Sequence, residues 1–282
     1  MTWSQIATQP WMLWRRQVAA ILRLELKKSL FSKRAWWIYV LTLGPVLITG
    51  MHSLFSGGRG GHTMGDDNMI FAGTFQIYFL RLGIFFGCLG IFSNLFRAEV
   101  LERTLHYYFM SPVRREVLAV SKYLAGLIAA VTYFVGSVVL SFIFMSAHWG
   151  PVFQQYLFHG PGLHQLGWYA LTAALACVGY GSVFMLTGVL YRNPMIPAAV
   201  VFIWENLNPF LPSLLKKFSV IFYLKSLCPV GDIPADGPLA FLATMTEPTP
   251  AWLAIPGLLV VSALVLAYAA AKSRKLEVSY SE

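Results

Sequence analysis

Two ionisable residues stand inside apolar stretches, where a charge has to be accounted for. Arg81 lies about 12 residues into one such stretch and Glu205 about 11 residues into another. A lone charge at that depth of a bilayer costs roughly 2.5–3.5 kcal/mol even on insertion scales, so each should face protein or water rather than lipid. The two stretches run in opposite directions, and at ~1.5 Å per residue both charges come out near the midplane. They could pair and fix the register of two helices, or they could line a polar path through a bundle, with Asn206 and Asn208 adding polarity beside Glu205.

Other chemistry finds little support. His148, His159 and His164 share one loop, and His62 precedes Asp66 and Asp67. Neither set has a metal-ligand spacing, so no metal site is expected. Cys88, Cys177 and Cys228 are widely spaced and imply neither a disulfide framework nor a zinc site. No nucleophile stands beside a base. The chain has no G-x-x-x-x-G-K-[ST] phosphate loop, and Phe55-Ser-Gly-Gly-Arg59 only superficially resembles an ATPase signature loop. No cofactor is expected in this chain.

The elements that must position these residues are membrane helices. Of 282 residues, 57% are hydrophobic and only 12% charged, about half the charged fraction of soluble domains. Apolar runs of ~18 residues or more are the transmembrane signal. Six spans are expected, at 36–55, 69–96, 118–146, 167–190, 195–212 and 251–271. A Gly-rich loop, 56–68, should follow the first, and a loop should cover 147–166. Residues 213–250 read as short re-entrant helices followed by a Pro-containing loop. No cleavable signal peptide and no long internal repeat stand out.

Residues 11–34 read as an amphipathic helix lying in the membrane interface. Trp11, Trp14, Val18, Ile21 and Leu22 share one arc, and Arg15, Arg16, Arg23 and Lys27 the opposite one. The plainer alternative is a basic flank that orients the first span. Glu25 falls in the apolar arc, which suggests that this end of the helix meets protein.

Between the second and third spans lies a polar island, Arg97 to Val117, reading RAEVLERTLHYYFMSPVRREV. Its acidic, aromatic and basic residues suit a docking surface, since Tyr and Arg are favoured at interfaces. A solvated helical hairpin fits equally well. Pro112 disfavours helix at Ser111, and helix should resume near Arg115. Lys and Arg are distributed 16 to 4 between the two sides, with Arg81 inside a span. The positive-inside rule then places both termini and the island in the cytoplasm. It also accounts for the net charge of +9 without any nucleic acid.

Glu102-Arg-Thr-Leu105, then Met110-Ser-Pro112, Arg114-Arg115 and Lys122, resembles the loop of the ABC-2 type permeases. The interfacial elbow helix, six spans and re-entrant helices are similar as well, so the likeness runs over nearly the whole chain. Arg103 stands where the family usually has Gly. The resemblance implies one all-α integral membrane domain over 1–282: six transmembrane helices, an N-terminal elbow helix (11–34), a cytoplasmic coupling helix (97–117) and an extracytoplasmic re-entrant region (213–250). It implies an exporter subunit of the cytoplasmic (inner) membrane, working as a permease dimer among membrane lipids with a separate ABC ATPase subunit that binds ATP and Mg. Glu99, Glu102, Arg103, Thr104, Leu105, Tyr107, Tyr108, Ser111, Pro112, Arg114 and Arg115 would couple to that ATPase. The substrate class would be a lipid, drug-like or other amphiphilic molecule. A membrane-embedded enzyme acting on lipids, or a non-transporting anchor or sensor, are the alternative functions.

Overall fold

A computed structural model describes residues 11–31, 36–56, 63–101, 115–191, 193–230 and 249–273. Among them there is helix and no strand. The helices are α1 (Trp11–Phe31), α2 (Trp36–Ser56), α3 (Met64–Thr74), a π-helical segment (Phe75–Gly83), α4 (Ile84–Leu101), α5 (Arg115–Ser146), α6 (Pro151–His159) and α7 (Gly162–Leu190). They are followed by α8 (Met195–Leu207), α9 (Ser213–Lys216), α10 (Val220–Lys225) and α11 (Ala251–Ser273). α3, the π segment and α4 run on as one rod. We call the end where α4 stops and α5 starts basal, and the opposite end distal.

Among the described residues, five rods are long and apolar enough to cross a bilayer: Trp36–Phe55, Met64–Leu95, Val117–Trp149, Gly162–Leu190 and Ala251–Ser273. α7 is the hub, packed against α4, α5 and α11, while α1 and α2 lie on α5. Small residues let the hub approach closely, as expected where lipid supplies no hydrophobic drive between helices. A Cβ added to Gly188 would lie 2.8 Å from the Ser93 carbonyl oxygen, so α7 and α4 meet backbone to backbone there. Gly83 and Gly87 form a G-x-x-x-G in the second rod, and Gly87 receives the Phe134 ring of α5, 2.0 Å from where a Cβ would stand. Both contacts lie within this subunit.

Several expected loops are helical. The second rod begins at Met64, not at 69, because Thr63 and Asp66 form a capping box. The Thr63 hydroxyl accepts from the Asp66 N–H (3.3 Å), and the Asp66 carboxylate accepts from the Thr63 N–H (2.8 Å) and hydroxyl (2.7 Å). This satisfies donors that a helix start leaves orphaned. Likewise 147–166 is not a plain loop. It holds a 3-10 turn, Ala147–Trp149, then α6, which opens with Pro151 at a position that needs no N–H. Gly150 joins the two at φ +53°, a conformation that glycine takes at least cost.

The stretch read as a fifth span, 195–212, is helical over Met195–Leu207 and ends in a 3-10 turn, Asn208–Phe210. Pro209 and Pro212 supply no backbone donor, so the ladder cannot continue. Thirteen residues give about 20 Å, short of the roughly 30 Å hydrocarbon core. α10 takes up a neighbouring position. Val220 contacts α7 at Gly179, and the Thr172 hydroxyl sits 3.5 Å from the Leu227 carbonyl oxygen. Beyond α10, the Gln76 amide donates to the Val230 carbonyl oxygen at 3.2 Å. α10 therefore runs antiparallel to α7, from its middle toward the distal end.

Pro45, inside α2, leaves the Leu41 carbonyl without its usual i+4 donor. The Tyr78 hydroxyl, from the π segment, donates to that oxygen at 2.9 Å. A proline that would cost an unsatisfied carbonyl in lipid thus becomes a tie between two rods.

Candidate functional site

Among the described residues, three buried polar clusters punctuate the apolar bundle at successive heights. The basal one is built on Lys122, seven residues into α5 from Arg115. Its ammonium donates to Glu25 Oε1 of α1 at 2.8 Å and to the Leu95 carbonyl oxygen of α4 at 2.9 Å. Lys122 is fully buried and Glu25 is 5% exposed, so neither charge has water to fall back on. One side chain joins α1, α4 and α5 just above the point where α4 and α5 leave for the polar island.

The middle cluster is built on Glu205 in α8. Its carboxylate accepts from the Ser219 hydroxyl (2.8 Å), the Val220 N–H (3.0 Å) and the Ile221 N–H (2.8 Å), with the Tyr180 hydroxyl of α7 at 3.4 Å. The carboxylate therefore caps the first turn of α10, satisfying orphan donors with negative charge at a helix N-terminus. Among the described residues no ion pair joins Glu205 to Arg81. Arg81 sits in the π segment and is half-buried. π segments of this kind are frequent at functional positions. Asn206 and Asn208 act locally: the amide of Asn206 donates to the Phe202 carbonyl oxygen (2.8 Å) and that of Asn208 to the Lys216 carbonyl oxygen (3.3 Å).

The distal cluster centres on Asp67, fully buried in the first turn of α3. His52 Nε2 of α2 lies 3.0 Å from Oδ1, the Trp149 indole N–H donates to Oδ2 at 2.8 Å, and His148 Nε2 lies 3.4 Å from Oδ2. The carboxylate ties α2, α3 and the end of α5 together. His148 is largely enclosed here, not solvated in a loop. Nearby on α6, the Tyr156 hydroxyl donates to Gln165 Oε1 at 2.5 Å. Burial raises the Tyr156 pKa above the ordinary tyrosine value, against a smaller lowering by Asn68. Among the described residues no group of three or more His, Cys, Asp or Glu side chains could hold a metal ion.

The island is covered only at its edges. Arg97 and Glu99 lie in the last turns of α4 and Arg115 opens α5. Glu102, Arg103, Thr104, Leu105, Tyr107, Tyr108, Ser111, Pro112 and Arg114 lie outside the described residues, as do 231–248 of the re-entrant region. On α1, which Trp11 opens, Arg15, Arg16 and Arg23 are exposed, Trp14 is half-buried and Glu25 is buried.

Sequence reasoning did not find the Asp67 cluster, the Glu25–Lys122 pair, or Tyr180 and Ser219 as partners of Glu205. One signal was available: Thr63-x-x-Asp66 ahead of an apolar run marks a helix start, and it would have moved Asp67 from a loop into a buried first turn.

A family profile described as ABC-2 family transporter protein matches residues 21–208, about two-thirds of the chain. The match begins within α1 and ends just past α8, so it contains all three carboxylates of the clusters. No curated protein matches the chain.

Proposed function

Because the chain belongs to the ABC-2 family of transporter proteins, we propose that it is the membrane-spanning permease subunit of an ATP-binding cassette exporter. The observation that carries this reading is the family match over residues 21–208, which takes in the whole polar island. A separate ATPase subunit binds ATP and Mg and hydrolyses the nucleotide. Glu99, Glu102, Arg103, Thr104, Leu105, Tyr107, Tyr108, Ser111, Pro112, Arg114 and Arg115 form the surface it grips. The basal end faces the cytoplasm with both termini, in the inner membrane of a bacterial cell, and two permease copies form the working unit. α8 and α10 together make the fifth of six crossings, α8 spanning the basal part and α10 the distal part.

The mechanical argument runs through Lys122. ATPase closure biases one of two packings of the bundle. A push on the island moves the ends of α4 and α5, and Lys122 passes it to α1 because it bonds to both neighbours at once. The interior at mid-height is aromatic, with Phe85 packed against Tyr180, Phe184 and Phe202 at centroid distances of 5.3, 4.9 and 5.2 Å. A path beside such rings, with Arg81 near its middle, suits an amphiphilic substrate.

The test is cysteine crosslinking at Ser111→Cys in membranes, followed by nucleotide-driven transport in reconstituted vesicles. The reading predicts a crosslinked nucleotide-binding subunit and transport that stops when that subunit is removed. Labelling of the same cysteine from the outside of intact cells would overturn it.

A further inference from the structure

Beside the Glu25–Lys122 pair, α1 and α5 leave an open groove of about 940 Å³. Its walls are Trp14, Val18, Leu22 and Leu26 of α1 and Val117 and Val120 of α5. The volume falls near the top of the roughly 300–1,000 Å³ range of small-molecule sites. Two cations line the same groove, Arg15 and Arg23, so they share a wall with Val18 and Leu22 rather than lying on an arc opposite them. They are eight residues apart, about 12 Å along the helix, so positive charge stands at two points along an apolar trough.

The charge around the groove is not neutralised within α1. That helix carries Arg15, Arg16, Arg23, Lys27 and Lys28 and a single acid, Glu25. Glu25 is committed to Lys122. Among the described residues no ion pair reaches Arg15 or Arg23, and both are exposed. Long cationic side chains lay their stems along apolar surface and keep their heads at the polar boundary. Trp favours the same boundary. An apolar floor, an indole and two arginines at one bilayer boundary match a molecule with acyl chains and a negative headgroup.

We propose that the groove between α1 and α5 is a binding site for an anionic phospholipid. The acyl chains lie along Val18, Leu22, Val117 and Val120, and Arg15 and Arg23 supply the positive charge that attracts the headgroup. The site requires only that the chain sits in a membrane, so it stands or falls separately from the transport reading.

The test uses the full chain purified into micelles containing equal amounts of phosphatidylglycerol and phosphatidylcholine, with retained lipid measured by native mass spectrometry. Phosphatidylglycerol should be retained in preference. A basic residue near an anionic surface favours binding by about fivefold, so Arg15→Gln/Arg23→Gln should lower phosphatidylglycerol retention by roughly 30-fold. Arg16→Gln/Lys27→Gln removes the same charge from α1 at positions that do not line the groove, and should change retention far less. Ala19→Trp fills the groove with all charges kept, and should displace the lipid. If that variant fails to fold, the two arginine comparisons still decide. Equal retention of the two lipids, equal loss in the two double variants, or competition by free glycerol phosphate would each overturn the proposal.

Discussion

Replacing Lys122 by methionine keeps most of the side-chain volume and removes the charge. Glu25 is then left as a buried carboxylate, 5% exposed, with no cation at 2.8 Å, and the Leu95 carbonyl loses a donor. Breaking a buried ion pair by removing one partner costs about 3–5 kcal/mol, whereas replacing both partners by apolar residues is often neutral or stabilising. Lys122→Met and Glu25→Leu should therefore each destabilise by about 3–5 kcal/mol. Glu25→Leu/Lys122→Met should recover most of that loss. At about 2–4 °C per kcal/mol for chains of this size, each single variant should lose roughly 6–20 °C in melting temperature. The assay is thermal unfolding in detergent, followed by loss of the monodisperse peak on gel filtration. A second readout separates stability from coupling: the double variant should be stable yet show weaker stimulation of the partner ATPase, because an apolar contact does not hold α1 to α5 in one direction. Single variants within 1 kcal/mol of the parent, or a double variant no better than the singles, would refute the reasoning.

Glu205→Ala should strip the first turn of α10 of its acceptor. Hydrogen exchange at the Val220 and Ile221 amides should then accelerate by roughly tenfold to a hundredfold, the loss of about 1–3 kcal/mol per unsatisfied buried group. Asp67→Asn should lower the melting temperature and loosen the distal ends of α2 and α5 together, because the carboxylate faces His52, His148 and Trp149 at once; proteolysis of the distal loops reads it directly. Tyr78→Phe should cost about 1–3 kcal/mol by orphaning the Leu41 carbonyl, and Pro45→Ala in that background should restore part of it by returning an N–H; thermal unfolding of the pair tests this. Tyr156 has a pKa raised above 10.0 by burial, so its contribution is present below pH about 10 and is lost as pH rises further, when only the unfolded chain ionises freely. Tyr156→Phe should flatten the alkaline limb of a stability–pH curve.

Hydropathy and length made most of the bundle legible, because a membrane helix announces itself by composition. The first, second, third, fourth and last crossings all correspond to long helices near the expected positions. The end of α8 was not legible from hydropathy, because a run of apolar residues does not say where a ladder stops; Pro209 and Pro212 do, since neither supplies a backbone donor. The charges were legible as anomalies but not as pairs. Arg81 and Glu205 stand at similar depth, yet the carboxylate is satisfied by Ser219 and two N–H groups some 15 residues onward, a partnership that depends on the chain folding back. Asp67 is the converse case. Its neighbours in sequence are polar and glycine-rich, so it read as loop, while its burial comes from His52 and Trp149, distant in the chain. Glu25 could be recognised as misplaced on its helix face, but Lys122 lies nearly a hundred residues away, and no local pattern connects them.

The shortness of α8 bears on how the protein is made. A segment of 13 helical residues that carries an ionisable side chain, followed by two prolines, is a poor candidate for independent entry into a bilayer. Its carboxylate finds acceptable partners only when residues 219–221 have folded against α7. The ribosome must therefore deliver residues 195–230 into a membrane where α4, α5 and α7 already stand, and the segment is retained by those neighbours rather than by its own hydrophobicity. Mutations that weaken the α7 surface around Gly179 and Tyr180 would then surface first as failures of biogenesis, with quality-control proteases removing chains whose other helices are all in place.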